Sequence, residues 1–433
     1  MHRREFLAAS LAPALQTSGK DGGNRPNILI IMSDQHSPHV MGCRGDSVVR
    51  TPNLDALAGR GVLFESACCQ SPICIPSRMS RLTGAQPSEN GVWTNADTLP
   101  SSAPTFAHAL TAAGYDTALI GNMHFFGADQ WHGFGKRLVG SLNPMYPHVP
   151  HSLPPQLLAG AAGSTRAAIQ VAGPGRTSYQ SYDADVTKAT VEFLKGKAGQ
   201  TTGQPWCAVA ACVLPHCPYI CRKEDWDYYL NRVTIPQTPP HYFERLHPAV
   251  KIWRKARGVE DLTVEEIRRA RAGYYGLVTQ FDRQVGEMLG ALKQSGLDSN
   301  TVVIYTTDHG EMAGDLGMWW KYSFYEGSVG VPLIVSWPAK FQQGVRSRQV
   351  VSHIDIASTL TDLAGAAAVP NTSGHSLRPL LEGRPDGGKN EAFSEFAAAS
   401  GIPSMRMIRS SNWKLVHYEG YRPQLFDLAA DPR

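Results

Sequence analysis

Four short apolar runs punctuate the chain: Asn27–Met32 (NILIIM), Thr117–Ile120 (TALI), Trp206–Leu214 (WCAVAACVL) and Thr301–Tyr305 (TVVIY). Runs of this length without polar alternation predict strands buried on both faces. Between them the period becomes helical over Leu54–Arg60, Thr105–Ala113, Ala184–Lys195 and Tyr274–Ser295. Pro104 marks one helix start, and Gly114 and Gly296 mark helix ends. Alternating strands and helices predict an α/β fold, a large mixed and mostly parallel sheet sandwiched by helices. None of the runs approaches the roughly 20 apolar residues needed to cross a bilayer.

From about residue 346 the texture changes. A helical stretch (Asp355–Ala364) is followed by a Gly/Pro/Asn loop (Pro370–Gly374) and by strand-like pieces near Met405–Ile408 and Trp413–Tyr418. The expected organisation is a main domain over residues 24–345 and a smaller C-terminal α+β domain over 346–433. Residues 143–180 and 232–258, rich in Pro, Gly, His or aromatics without periodicity, are expected as loops over a site.

Each of the four runs leads into polar chemistry: Asp34 and Gln35, then Asn122 and His124, then His216, then Asp308 and His309. One such residue means little, because turns favour Asp and Asn anyway. Repetition at four strand ends points to a single edge of a parallel sheet, where ligands gather.

Composition narrows the class. With 42% hydrophobic and 18% charged residues in 433, the chain can bury a large core. The net charge of +4 is spread along the sequence without a Lys/Arg run, which excludes a phosphate-tracking surface and nucleic acid as partner. Eight cysteines are too few for a disulfide scaffold, and Cys207, Cys212, Cys217 and Cys221 lack the paired spacing of a zinc site. Most are expected in the core, with a bridge among Cys212, Cys217 and Cys221 left open. The N-terminus, MHRREFLAASLAPALQTSG, places Arg3 and Arg4 before an alanine-rich apolar stretch. That is the pattern of a twin-arginine signal, so residues 1–23 are expected to be signal and linker of an exported, periplasmic or extracellular protein. An ordinary basic start is the alternative.

The most informative segment runs from Cys74 to Gly84, CIPSRMSRLTG. Pro76 suits a first helical turn, so Cys74 falls at a helix N-terminus, where free amides and the dipole favour an anion. Arg78 lies one turn on, facing the same side. The pattern C-x-P-S-R-x-x-x-L-T-G resembles the signature of the sulfatases, formylglycine-dependent members of the alkaline phosphatase superfamily. The resemblance continues through Arg25–Asp34, Thr51–Phe64, Leu214–Tyr219, Thr307–Glu311, then Gly317, Lys321, Tyr325, Glu326, Val331 and Pro332, and on through Val351–Gly365 and Leu377–Leu381. Met123–Phe125, Ser394–Phe396 and Met405–Arg409 are most similar to choline-sulfatase-like members.

That resemblance implies an alkaline-phosphatase-like fold and a set of roles. Cys74 would be oxidised to formylglycine by a formylglycine-generating enzyme, which reads Cys74, Pro76 and Arg78. Asp34, Gln35, Asp308 and His309 would hold a divalent cation, Ca²⁺ before Mn²⁺ or Mg²⁺. Arg78 and Lys321 would stabilise the transferring group, His216 with Lys321 would protonate the leaving alcohol, and His124 would act as base. Asn95 and Asn122 would contact a small sulfated substrate, and an oligomer is compatible with the pattern. Asn122 stands where the family has lysine, and Gly330 where arginine is common before Val-Pro. The implied reaction is sulfate ester hydrolysis. The alternatives are phosphonate or phosphodiester hydrolysis in the same superfamily, and non-catalytic binding of sulfated ligands.

Overall fold

The computed structural model describes residues 25–142, 162–200, 203–384, 388, 390–399 and 401–432. The twin-arginine stretch and the first part of the loop expected at 143–180 lie outside them. The strands are β1 (Asn27–Met32), β2 (Val62–Cys68), β3 (Asp116–Gly121), β4 (Lys136–Val139), β5 (Gly173–Pro174), β6 (Trp206–Ala211) and β7 (Ile220–Cys221). They continue as β8 (Thr301–Thr306), β9 (Leu333–Ser336), β10 (Val345–Ser352), β11 (Glu391–Phe396), β12 (Met405–Ser410), β13 (Trp413–Tyr418) and β14 (Gln424–Asp427). All four apolar runs are strands of one sheet with the order β10-β2-β9-β8-β1-β6-β3-β4. Only β9 runs antiparallel to its neighbours. Residues Ile28 to Ile31 of β1, at the middle of the sheet, are each at most 1% exposed. At about 1.5–3 kcal/mol per buried aliphatic side chain, this centre is where the core is anchored.

Helices cover the sheet in two groups. α1 (Pro52–Gly59) packs on the long helix Val264–Gln294, which also meets Ser178–Ala198. α2 (Cys74–Thr83) packs instead with Phe106–Ala112 and Ile354–Ala364. The long helix starts ten residues before the periodic stretch that predicts it. Its Thr263-x-x-Glu266 box explains this, since Thr263 Oγ1 accepts from the Glu266 amide (3.1 Å) and Glu266 Oε2 from the Thr263 amide (2.8 Å).

The texture change expected at residue 346 falls inside β10, which pairs with β2 at the edge of the large sheet. The first five residues of this edge strand alternate half-buried and exposed positions, so its sequence reads unlike the apolar central strands. The separate C-terminal unit is the antiparallel sheet β11-β12-β13-β14. All eight cysteines are free thiols and all but Cys43 are buried, so Cys212, Cys217 and Cys221 form no bridge. No helix among the described residues is long and apolar enough to cross a membrane.

A buried ion triad pins the small sheet to the short helix Glu326–Val329 that precedes β9. Glu326 pairs with Lys414 of β13 (3.0 Å) and with Arg409 of β12, and Lys414 also donates to the Phe324 carbonyl (2.7 Å). Burial opposes ionisation of Glu326, but Lys414 and Arg409 outweigh it and hold the carboxyl below its usual range. The charge therefore adds stability above the ordinary glutamate pKa, and that stability is lost as pH falls through the lower folded value. Glu326→Gln is expected to cost about 3 kcal/mol in urea denaturation at pH 7, the low end for a broken buried pair because one oxygen is kept. The difference from the parent should shrink on acidification.

Candidate active site

Five parallel-running strands end on one edge of the sheet and deliver the site. β1 leads to Asp34 and Gln35, β2 to Cys74, β3 to Asn122 and His124, β6 to His216, and β8 to Asp308 and His309. Gly121 closes β3 at φ 114°, and a side chain there would collide with the Ala211 carbonyl of the adjoining strand. Gly310 behaves similarly behind His309, against the Gly327 carbonyl. These two glycines let the strand ends crowd together.

Cys74 is the first residue of α2 and is 3% exposed. Its Sγ lies 2.9 Å from Lys321 Nζ and 3.2 Å from His309 Nε2. Burial pushes the thiol up to about 12, with Lys321 pulling the other way. Lys321 stays an ammonium despite burial, held by Cys74 and nearby acidic groups. It reaches His216 Nε2 at 3.3 Å, while His216 Nδ1 is 2.7 Å from the Cys217 carbonyl. That carbonyl fixes the proton on Nδ1 and leaves Nε2 to accept from the lysine. Burial, then Lys321, lower His216 well below its usual range, so the proton of this pair sits on Lys321. His124 is half-buried at φ 55°, and burial and Arg78 keep it neutral.

Arg78 is completely buried. Its Nε donates to Asp308 Oδ2 (2.9 Å), Nη2 to Asp34 Oδ2 (2.7 Å), and Nη1 to the Asn122 carbonyl. The guanidinium thus locks two carboxylates and the end of β3 together and keeps N–H groups over for an anion. Asn95 is exposed, and its Oδ1 caps α2 by accepting from the Ile75 amide (2.9 Å). The Asn122 side chain is 1% exposed, and neither Oδ1 nor Nδ2 has a protein partner. Gly330 has no room for a side chain, because a Cβ would meet the Glu326 carbonyl.

The donor set suits a divalent cation. Asp34, Cys74, Asp308 and His309 each offer an atom, all within 4.8 Å of one another. His309 Nδ1 faces the Gly310 carbonyl at 3.0 Å, so Nε2 is the unprotonated nitrogen, and burial depresses the imidazole to about 3. Asp34 Oδ1 and Gln35 Oε1 are buried oxygens without a protein partner. Buried acceptors of that kind are rare and costly unless something positive meets them.

Three contributors escape sequence reasoning. Asp183, in the helix Ser178–Ala198, accepts the Val213 and Leu214 amides (both 2.8 Å) and so shapes the approach to His216. Glu311 accepts from Gln35 Nε2 (2.6 Å) and the Tyr219 hydroxyl (2.9 Å). Ser77 Oγ bonds the Asp308 carbonyl. An acid two residues past His309 was visible as a letter, but its partners lie far away in sequence.

Comparison with known proteins agrees with this geometry. The Sulfatase family model matches residues 26–366, and the N-sulphoglucosamine sulphohydrolase C-terminal model matches 314–433. A choline-sulfatase of Rhizobium meliloti (strain 1021) is 33% identical, covering 94% of this chain and 81% of its own. Arylsulfatase K of Danio rerio is 30% identical, over 94% and 79%. Among solved structures, a phosphonate monoester hydrolase of Agrobacterium radiobacter superposes with TM-score 0.76 and 27% identity, over 94% and 90%. With a family model spanning most of its length and a site assembled at the strand ends that model covers, the chain belongs to the sulfatase family.

Proposed function

We propose that this sulfatase hydrolyses the sulfate ester of a small alcohol or sugar to the alcohol and inorganic sulfate, using formylglycine made from Cys74 and a divalent cation. The observation that carries the proposal is the placement of Cys74 at a helix N-terminus between Lys321 and His309, one turn from Arg78. Asp34, Gln35, Asp308 and His309 would hold the cation. Cation and formylglycine would together supply an acidified hydroxyl nucleophile and a sink for developing negative charge.

The chain's own residues do the rest. Arg78 and Lys321, both buried, place fixed positive charge beside the transferring sulfonyl group. Lys321 Nζ, the proton-bearing member of its pair with His216, protonates the departing alcohol oxygen while His216 Nε2 orients it, and water later restores the proton. Neutral His124 accepts the proton whose removal expels sulfate. The naming of a similar protein as choline-sulfatase supports a small alcohol. The Arg3–Arg4 start supports export of the folded protein.

Phosphonate or phosphodiester hydrolysis is a second reading, favoured by the likeness to the phosphonate monoester hydrolase. Rates on matched aryl sulfates and aryl phosphonates, measured on protein co-expressed with a formylglycine-generating enzyme, separate the two. Faster phosphonate turnover rejects the sulfatase reading. Asn122→Lys is expected to lower KM for the sulfate ester about tenfold, the effect of one added charge-assisted hydrogen bond. Binding without turnover in both forms would mark a non-catalytic binder.

A further inference from the structure

Gln35 leaves β1 in the left-handed region, at φ 65°. Its amide N–H donates to Asp308 Oδ1 (3.0 Å) and its carbonyl accepts from the Tyr274 hydroxyl (2.9 Å). The side chain then carries two arms of opposite chemistry, and nothing in its own covalent geometry decides which arm points where. Glu311 decides. This fully buried carboxylate accepts from the Ala313 amide (2.7 Å), the Trp320 amide, the Tyr219 hydroxyl (2.9 Å) and Gln35 Nε2 (2.6 Å). Two amides already fill Oε1 and the Tyr219 hydroxyl donates to Oε2, so the carboxylate meets Gln35 as an acceptor, and Gln35 turns its NH₂ toward Glu311 and its oxygen away. That oxygen, Oε1, is the one left buried without a protein partner, as is Asp34 Oδ1.

We propose that Glu311 is a positioning residue, fixing the Gln35 amide so that a neutral oxygen is offered to the cation. Through Tyr219 the same carboxylate ties the cation site to the loop that carries His216. The inference rests on the cation reading above and adds to it the device that sets ligand polarity. In Glu311→Gln the device is lost, because an amide side chain donates as readily as it accepts and lets Gln35 turn over.

The test is calorimetric titration of CaCl₂ or MnCl₂ into full-length protein with Cys74 left as the thiol, so that no turnover is needed. Glu311→Gln is expected to weaken the cation about 10–100-fold, the usual effect of losing a group that orients a ligand. The swapped pair, Gln35→Glu with Glu311→Gln, reverses the polarity of the contact and is expected to recover most of the affinity. Gln35→Glu alone sets two carboxylates face to face and should lower Tm. Parent-like affinity in folded Glu311→Gln, or no recovery in the swapped pair, overturns the inference. So does loss of circular dichroism in both, since Glu311 would then be holding the Ala313 and Trp320 amides instead. A parent protein that takes up neither cation fails the cation reading itself, a result distinct from equal binding by parent and variant.

Discussion

Cys74→Ala is expected to lower kcat for aryl sulfate hydrolysis by at least about 10⁴-fold, the scale seen when a covalent nucleophile is removed. Fold is expected to survive, because the deleted side chain is small and stability should change by no more than about 1 kcal/mol. Cys74→Ser separates two explanations of the same loss. If oxidation to the aldehyde is required, serine is as dead as alanine when expressed with a formylglycine-generating enzyme that acts on cysteine. If a plain hydroxyl suffices beside Lys321, serine recovers activity and the formylglycine reading is wrong. Mass analysis of the peptide containing Cys74 in active parent protein gives an independent check, and an intact thiol there would sink the mechanism.

The second large effect falls on Arg78. Its guanidinium is bonded to Asp34, Asp308 and the Asn122 carbonyl with no exposure to water, so nothing screens the loss. Arg78→Met leaves two buried carboxylates facing each other, and urea denaturation without added metal should show a loss of about 3–5 kcal/mol. A saturating divalent cation is expected to return part of that loss, because the carboxylates regain a positive partner. Activity should fall about 10²–10³-fold or more even where the fold is rescued, since a fixed charge beside the transferring group is gone. Arg78→Lys keeps one charge but cannot fork to both carboxylates, and is expected to behave closer to Met than to the parent. Parent-like stability in Arg78→Met would mean that the two carboxylates are not both charged in the folded protein.

The centre of the fold was legible because β1, β3, β6 and β8 are buried on both faces and therefore written in unbroken apolar residues. β2 and β10 were not, because Glu65 and Ser66 interrupt the first, and Arg346 and Arg348 face solvent on the second. Most of the candidate site residues could be picked out because they follow a strand or, like Cys74, start α2, whereas Lys321 follows no strand and was reached only through the family resemblance. What escaped was the layer behind them. Asp183, Glu311 and the Glu326 triad act through partners between 2 and 276 residues away, with no period to betray them. The chemistry of an acid in the sequence is the same whether it meets solvent or four buried donors, and only the fold distinguishes the two.

The partners that bury Cys74 lie late in the chain: His309 is 235 residues downstream and Lys321 is 247. β2, which leads into Cys74, pairs with β9 and β10, made later still. At ribosomal rates of about 5–20 residues per second, the Cys74 segment stays uncovered for roughly 10–50 s of synthesis. Any enzyme that acts on this sulfur works against that clock, and a slower codon run or a chaperone between residues 84 and 309 would lengthen the interval in which it can succeed.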